Sequence, residues 1–429
     1  MIDRFDVVVV GAGPGGIAAA AVAAEAGRRV CLLDNNVAPG GQIWRGFHED
    51  TAKRYPHGGE FLYWLSRLRK ANCALWYSSQ VIDSQRPGLL RLERSGQGCD
   101  LEFGQLVLAT GARERFLPLP GWTLPGVMGA GGLQALVKTG LDPRNKRVVV
   151  AGSGPLLLAV AAGLARADAR IVGMYEQAPL WRLAGFGMKL LGQPGKLMEG
   201  ARYRLKTLGA PYRTGTWVTR AEGRGRVESV TVTDGRKEWK QPCDWLACGF
   251  HLIPNLELPR LLGCRITRGY VEVDALQKGT VPGVACVGEL TGIGGLEKAI
   301  VEGQIAGLSA AGREVAARAL LPQVKKLQRF ASQLDYAFAL RSELRALAEA
   351  ETAVCRCEDV SHAALKECSS WREAKLHTRC GMGACQGRVC GAAAEFLFGW
   401  EISNVRPPIF PSATATLAGK PDDSPAVRC

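Results

Sequence analysis

Two glycine turns, each set between a continuous apolar run and an Ala/Leu-rich segment, constrain this 429-residue chain more than any other feature. The first is Gly11-Ala12-Gly13-Pro14-Gly15-Gly16, directly after Val7-Val8-Val9-Val10. A β-branched run without polar alternation is expected of a strand covered on both faces. The alanine-rich segment that follows predicts a helix to about Ala26, ended by Gly27. Val30-Cys31-Leu32-Leu33 then predicts a second strand, with Asp34 at its C-terminal end. The second turn, Gly152-Ser153-Gly154-Pro155, begins 141 residues after the first. Val148-Val149-Val150 precedes it, an apolar helix follows through Leu164, and the strand beginning Ile171-Val172 approaches Glu176. That spacing points to two dinucleotide-type domains rather than short repeats. The fold class is α/β.

Each glycine of the first turn has a separate reason. Gly11 permits the tight turn, Gly13 lets backbone approach a pyrophosphate, and Gly16 allows the helix to pack closely on the strand. The helix that starts at Pro14-Gly15 supplies amide donors and the positive end of its dipole. Asp34 lies 23 residues beyond Gly11, at the distance expected of an acid that accepts ribose hydroxyls. The second turn lacks the third glycine, because Leu157 stands there. A side chain at that position pushes the helix from the strand and narrows the space for a pyrophosphate. A nicotinamide site there, with Glu176 as its acid, is therefore disfavoured against a retained fold without nucleotide.

Further strands are expected at Leu106-Val107-Leu108-Ala109-Thr110-Gly111-Ala112 and at Val284 through Glu289. A helix is expected over residues 296–308 and helical, charged connecting segments over residues 313–350. The strand ends Ala109-Thr110-Gly111 and Val287-Gly288-Glu289 favour flavin over nicotinamide at the first turn. They resemble those of the two-dinucleotide-domain, glutathione-reductase-like flavoproteins. In that group the second strand end brings an acid to the ribityl chain of FAD, and Glu289 stands here where Asp is usual. The disulfide reductases of the group need a redox cysteine pair. No Cys-x-x-Cys occurs in residues 35–354, so that chemistry is not expected.

The cysteines carry a second kind of chemistry. The chain holds 14, and six lie between Cys355 and Cys390. In a reducing compartment such a cluster points to metal rather than to disulfides. Cys355-x-Cys357 is followed, after 27 residues, by Cys385-x4-Cys390. Four thiolates suit a [2Fe–2S] centre, and Gly381, Gly383, Gly387 and Gly391 would let backbone amides approach its sulfides. Zinc also takes four cysteines, but its structural sites use Cys-x2–4-Cys knuckles. Cys380-x4-Cys385 repeats the spacing of Cys385-x4-Cys390. Cys368 and Cys380 are read as bystanders.

The string Cys355-Arg356-Cys357-Glu358, with Thr378-Arg379, Gly381-Met382-Gly383 and Cys385-Gln386-Gly387-Arg388-Val389-Cys390, resembles the BFD-like [2Fe–2S] domain. Joined to an FAD domain, the chain resembles the large subunits of the opine oxidase, hydrogen cyanide synthase and D-hydroxyproline dehydrogenase family. Gly40-Gly41-Gln42-Ile43-Trp44-Arg45, Gly111-Ala112-Arg113-Glu114-Arg115 and Pro254-Asn255 extend the likeness, as do Gly292-Ile293-Gly294-Gly295 and Arg406-Pro407-Pro408. A small apolar residue is more usual in this pattern where Cys380 stands.

The resemblance implies an FAD site on Gly11, Gly13, Pro14, Gly15, Gly16, Asp34, Gly41, Gln42, Ala109, Thr110, Gly111, Gly288 and Glu289. It implies a [2Fe–2S] site on Cys355, Cys357, Cys385 and Cys390. It also implies a heteromeric enzyme. A D-amino-acid-oxidase-like flavoprotein subunit would oxidise an amine at carbon–nitrogen, with a small ferredoxin-like subunit as a further partner. The expected organisation is an FAD domain over residues 1–120 and 265–312, a second dinucleotide-type domain over 121–264, and a helical connector over 313–350. The BFD-like domain takes 351–400, and a tail takes 401–429. A stand-alone NAD(P)H-dependent reductase and a non-enzymatic iron–sulfur scaffold or sensor are the alternatives. His48, His57, His251, His362 and His377 form no recognisable triad, so no catalytic residue is expected.

Composition sets the remaining limits. Hydrophobic residues make up 47% and charged residues 22%, enough apolar material for real cores. The formal charge of +14 favours anionic cofactors or acidic partners. The basic residues form no run of five or more, so nucleic-acid binding is not expected. No apolar stretch reaches the ~20 residues that span a bilayer, and Asp3 and Asp6 do not suit a secretory signal. The expected location is cytoplasmic, with any contact to the inner membrane made through partners. About ten residues at the C-terminus are expected to be poorly ordered.

Overall fold

The computed structural model describes residues 2–418 apart from 51, 55, 192, 193, 403 and 404. The expectation for the last ten or so residues falls outside that set. The chain divides into two compact units. One comprises residues 1–113, 254–332 and 403–429, and the other residues 114–253 and 333–402.

The first unit is built on a seven-stranded sheet. Its order is Ala74–Trp76, Val30–Leu33, Asp3–Val10, Gln97–Leu108, Leu89–Arg94 and Ser79–Asp83, and Val284–Cys286 pairs with the end of Gln97–Leu108. The centre is parallel: Val7 to Val10 lie beside Val30 to Leu33 on one side and Gln105 to Leu108 on the other. Val7, Val8 and Val9 are fully buried, as an apolar run without alternation requires. The helix Pro14–Glu25 buries Pro14 through Ala23 and packs on the helix Gly295–Ala310. Its alanines leave little side chain between the two backbones. A side chain at Gly303 would collide with the Gly15 carbonyl, and one at Gly307 with the Ala19 carbonyl. Replacing either glycine would force the helices apart, an overpacking change that costs about 1–3 kcal/mol or more.

The second unit has a parallel five-stranded sheet, ordered Tyr212–Thr214, Arg170–Glu176, Arg147–Ser153, Trp245–Phe250 and Val127–Gly129. The helix Leu156–Arg166 lies between the second and third of these in sequence, and Leu157 is buried with Val148, Val150 and Val160. An antiparallel meander, Trp217–Glu222, Ser229–Thr233 and Glu238–Pro242, inserts before Trp245–Phe250. The cysteine-rich segment forms the strand pair Ala353–Cys355 and Val360–Ser361 and the helices His362–Lys366, Trp371–Thr378 and Cys390–Phe398. Ser361 and Ser370 cap two of these helices by accepting from Ala364 N and Glu373 N, each cap contributing about 1 kcal/mol. Leu365, Trp371, Ala374, Val354 and Trp400 form its small core.

The sequence places strand over residues 284–289, but the strand ends at Cys286 and a 3-10 turn covers Gly288–Thr291. Gly288 has φ 74°, which an extended run does not allow. The connector comprises Glu314–Ala319, Leu321–Ala337 and a 3-10 turn at Ser342–Ala346. Among the described residues no helix is long and apolar enough to cross a membrane.

Candidate functional site

The first glycine turn has the geometry of an anion cradle. Gly11 has φ 107°, and a side chain there would collide with the Ala109 carbonyl. A side chain at Gly16 would collide with the Gly11 carbonyl. Gly13 differs: the nearest atom to a Cβ placed on it is the Gly41 Cα, at 3.9 Å. Gly41, at φ 57°, faces Gly13 closely, with 2.8 Å between its own Cβ position and the Gly13 Cα. Space is therefore kept over Gly13 at the start of a helix. No side chain caps that helix end, so its first amide donors are left to an anion. The fully buried Trp44 carries an indole N–H that has no partner among the described residues. Gln42 is exposed beside it.

Asp34 is buried, and its carboxylate holds this turn together. One oxygen accepts from Ala12 N at 2.5 Å, and the other accepts from Asn36 N at 2.7 Å and Asn36 Nδ2 at 2.6 Å. The sequence suggests a ribose partner for Asp34; the structure adds a role in pinning the loop. The neighbouring strand, expected through Ala112, ends at Leu108, and Gly111 turns with φ 68°; beyond that end Thr110 and Gly111 are fixed by Asn255. Its Nδ2 donates to Thr110 O at 2.8 Å, and its N donates to Gly111 O at 2.9 Å.

Gly288 and Glu289 sit in a buried polar network. Lys298 and Glu302 are 1% and 0% exposed and pair at 2.9 Å. Lys298 Nζ also donates to Gly288 O and to Thr291 Oγ1, both at 2.8 Å, while Glu302 accepts from Gly288 N at 2.9 Å. Glu289 accepts from Gly294 N and Gly295 N, each at 3.0 Å, and so closes the start of the helix Gly295–Ala310. Burial pushes its carboxyl up, and Lys298 opposes that. The sequence reading missed Lys298, Thr291 and Glu302. Lys298 and Glu302 have the four-residue spacing of an ordinary surface pair, and only the three-dimensional packing reveals them as buried.

The second turn is built alike but engaged by the chain itself. Glu176 is 1% exposed and accepts from Gly154 N at 2.8 Å and Ala178 N at 2.9 Å. Burial pushes its carboxyl up to about 7. Ser153 Oγ donates to Phe338 O at 2.9 Å. Gln177, fully buried, donates to Ser153 Oγ and accepts from Arg341 N at 3.1 Å. His251 and Asp335 lie 3.0 Å apart, and the His251 ring is the nearest group to a Cβ placed on Gly154. Residues 335–341 thus lie against the loop that a nucleotide would need.

The cysteine-rich segment gathers its thiols. The Sγ atoms of Cys355, Cys380 and Cys390 all lie within 4.8 Å of one another, and all three residues are buried. Cys357, which is exposed, and Cys385 lie near enough to influence each other's ionisation, as do Cys385 and Cys390. The Cys390 thiol, with the backbone N–H groups of Val389 and Gly387, lowers the Cys385 thiol from its ordinary value, while Cys390 is pushed up in return. A thiolate is the form that binds metal. Of the four expected ligands, Cys355 and Cys390 belong to this trio and Cys357 and Cys385 do not, while Cys380, expected as a bystander, joins it. Cys368 bonds instead to Ala364 O, at 3.8 Å. The glycines have two uses here. Gly387 N–H reaches the Cys385 sulfur. Gly381 and Gly387 leave room for the Trp371 ring, Gly391 for Ile402, and Gly383 for Cys357.

Known proteins match this architecture. A family profile described as Pyridine nucleotide-disulphide oxidoreductase matches residues 5–313. The chain is 33% identical over 418 residues to the HcnB subunit of hydrogen cyanide synthase from Pseudomonas aeruginosa, covering 89% of this chain and 90% of that one. It is 32% identical over 462 residues to an opine oxidase subunit of Rhizobium meliloti, covering 97% and 99%. Among solved structures, L-proline dehydrogenase from P. horikoshii superposes with a TM-score of 0.72 at 19% identity, over 98% of this chain and 81% of that one.

Proposed function

The chain belongs to the pyridine nucleotide-disulphide oxidoreductase family, as an FAD-dependent oxidoreductase subunit, and from that premise we propose that it is the electron-transfer subunit of a heteromeric amine dehydrogenase. Its donor would be an opine, D-hydroxyproline, proline or glycine type of amine. The relatives named above are subunits of larger enzymes, which supports a partner chain. In this reading the partner is a D-amino-acid-oxidase-like flavoprotein, with a small ferredoxin-like subunit beside it, and the assembly is cytoplasmic. Any membrane contact is made through those partners.

The observation that carries the reading is the gathering of cysteine thiols within residues 355–390, in a chain that also keeps a complete glycine cradle. Bound FAD would accept an electron pair and release electrons singly, and a [2Fe–2S] centre would pass them one at a time. The chain's own residues would do the rest. Gly11, Gly13, Pro14, Gly15 and Gly16 would offer backbone and a helix start to the pyrophosphate. Gly41 and Gln42 would face it, and Asp34 would take ribose hydroxyls with the lone pairs that Ala12 and Asn36 leave. Ala109, Thr110 and Gly111, braced by Asn255, would flank the flavin. Gly288 and Glu289, braced by Lys298 and Glu302, would meet its ribityl side. Cys355, Cys357, Cys385 and Cys390 would ligate the iron. The Cys355-x-Cys357 spacing departs from the Cys-x2–4-Cys knuckles of structural zinc sites, which supports iron over zinc.

A nicotinamide-driven reductase is the competing reading. Leu157 and the contacts of residues 335–341 with Ser153 and Gln177 weigh against it. Anaerobic mixing of the full chain with NADH or NADPH separates the two. Flavin absorbance is expected to stay unchanged, and rapid bleaching would overturn the proposal.

A further inference from the structure

A [2Fe–2S] centre takes four protein ligands, and with Cys380 beside two of the four expected ones this segment offers five thiols. They divide unevenly. Cys357 is exposed and Cys385 half-buried. Cys355, Cys380 and Cys390 form a buried trio whose sulfurs are mutually within 4.8 Å. Metal–sulfur bonds of about 2.3 Å put tetrahedral ligand sulfurs roughly 3.8 Å apart, so every pair in the trio is near bridging distance for one metal ion. With Cys357 and Cys385 as the two ligands outside the trio, the buried side holds three thiols for two positions.

We propose that Cys380 is a reserve ligand of the cluster, able to take the position of Cys390 when that sulfur is lost. The inference rests on the iron–sulfur reading above. Cys380 is fully buried and its sulfur lies within 4.8 Å of those of Cys390 and Cys355, already beside the one it would replace. Its backbone is held in place: Cys380 N donates to Thr378 Oγ1 at 3.2 Å, and Gly381, at φ 80°, follows with the Trp371 ring against it. A large backbone shift is not required, only rotation of one side chain. In the exchange the Cys380 thiol releases its proton to solvent and forms the iron–sulfur bond that residue 390 no longer makes. No electron enters or leaves. Cys357 and Cys385 have no such reserve, because neither belongs to the trio.

The test compares full-length Cys380→Ser, Cys390→Ser, the double variant and Cys357→Ser, all purified anaerobically. Iron, acid-labile sulfide and visible circular dichroism are read per bound flavin. Cys380→Ser and Cys390→Ser are each expected to keep most of their iron, Cys390→Ser with an altered dichroism spectrum. The double variant and Cys357→Ser are expected to lose it by about tenfold or more. Loss of iron in Cys390→Ser as complete as in the double variant would overturn the proposal. Should Cys390→Ser fail to fold, as judged by its flavin content and far-ultraviolet spectrum, Cys355→Ser with and without Cys380→Ser reads the same trio. Unmutated protein without iron would instead sink the iron–sulfur reading itself, a result visible before any variant is made.

Discussion

Replacing Gly13 by valine separates binding from folding in the first unit. The Gly13 backbone, at φ −77° and ψ −179°, is extended, a conformation open to a β-branched residue. A Cβ there meets nothing nearer than 3.9 Å. The apoprotein should therefore lose little stability, and the reduced freedom of the unfolded chain contributes about 0.4–1 kcal/mol in its favour. The same volume is where a pyrophosphate would approach the helix start. Each charge-assisted amide contact that valine prevents is worth about 1.5–3 kcal/mol. Losing one or two weakens flavin binding roughly 10- to 10⁴-fold. Gly16→Ala is the contrast, because its new methyl would collide with the Gly11 carbonyl and must distort the turn. The assay measures flavin per chain together with the urea midpoint. Gly13→Val should be folded and flavin-poor, and Gly16→Ala should be both destabilised and flavin-poor. A Gly13→Val protein with stoichiometric flavin would refute the cradle.

Glu176 predicts a pH dependence in the second unit. Its folded value is about 7, against roughly 4.3 in an unfolded chain. The folded state therefore binds the extra proton between those limits, and stability is highest below them and falls as pH rises through 7. The loss approaches ~4 kcal/mol at about 1.4 kcal/mol per unit. Thermal melts at pH 5.5 and 8.5 should differ less in Glu176→Gln than in the unmutated chain; an equal difference in both would contradict the assignment. Lys298→Met strands the buried Glu302 carboxylate, which costs about 3–5 kcal/mol. A lowered urea midpoint with less bound flavin is expected, and an unchanged midpoint would show that the pair contributes little.

The legible parts of the molecule are those set by local chemistry. The turn at Gly11–Gly16 can be read because each glycine answers a different steric demand, and the structure meets those demands at Gly11 and Gly16 with the Ala109 and Gly11 carbonyls. The run Val7–Val10 announces a strand covered on both faces. Long-range partners are not legible. Nothing in residues 335–341 signals that Phe338 and Arg341 will meet Ser153 and Gln177, more than 160 positions earlier. Spacing alone cannot decide whether Cys380 joins the other thiols, since both Cys-x4-Cys pairs are available. The antiparallel meander does leave a local signal: Ser229-Val230-Thr231-Val232-Thr233 alternates, and Asp234-Gly235 follows as a hairpin turn.

The central claim is that one chain carries both a flavin and an iron–sulfur centre. Quantitative analysis of anaerobically purified full-length protein for flavin, iron, acid-labile sulfide and zinc tests it most directly. FAD with equal amounts of iron and sulfide, and no zinc, is the predicted composition. Stoichiometric zinc without iron, or a cluster without flavin, would contradict it.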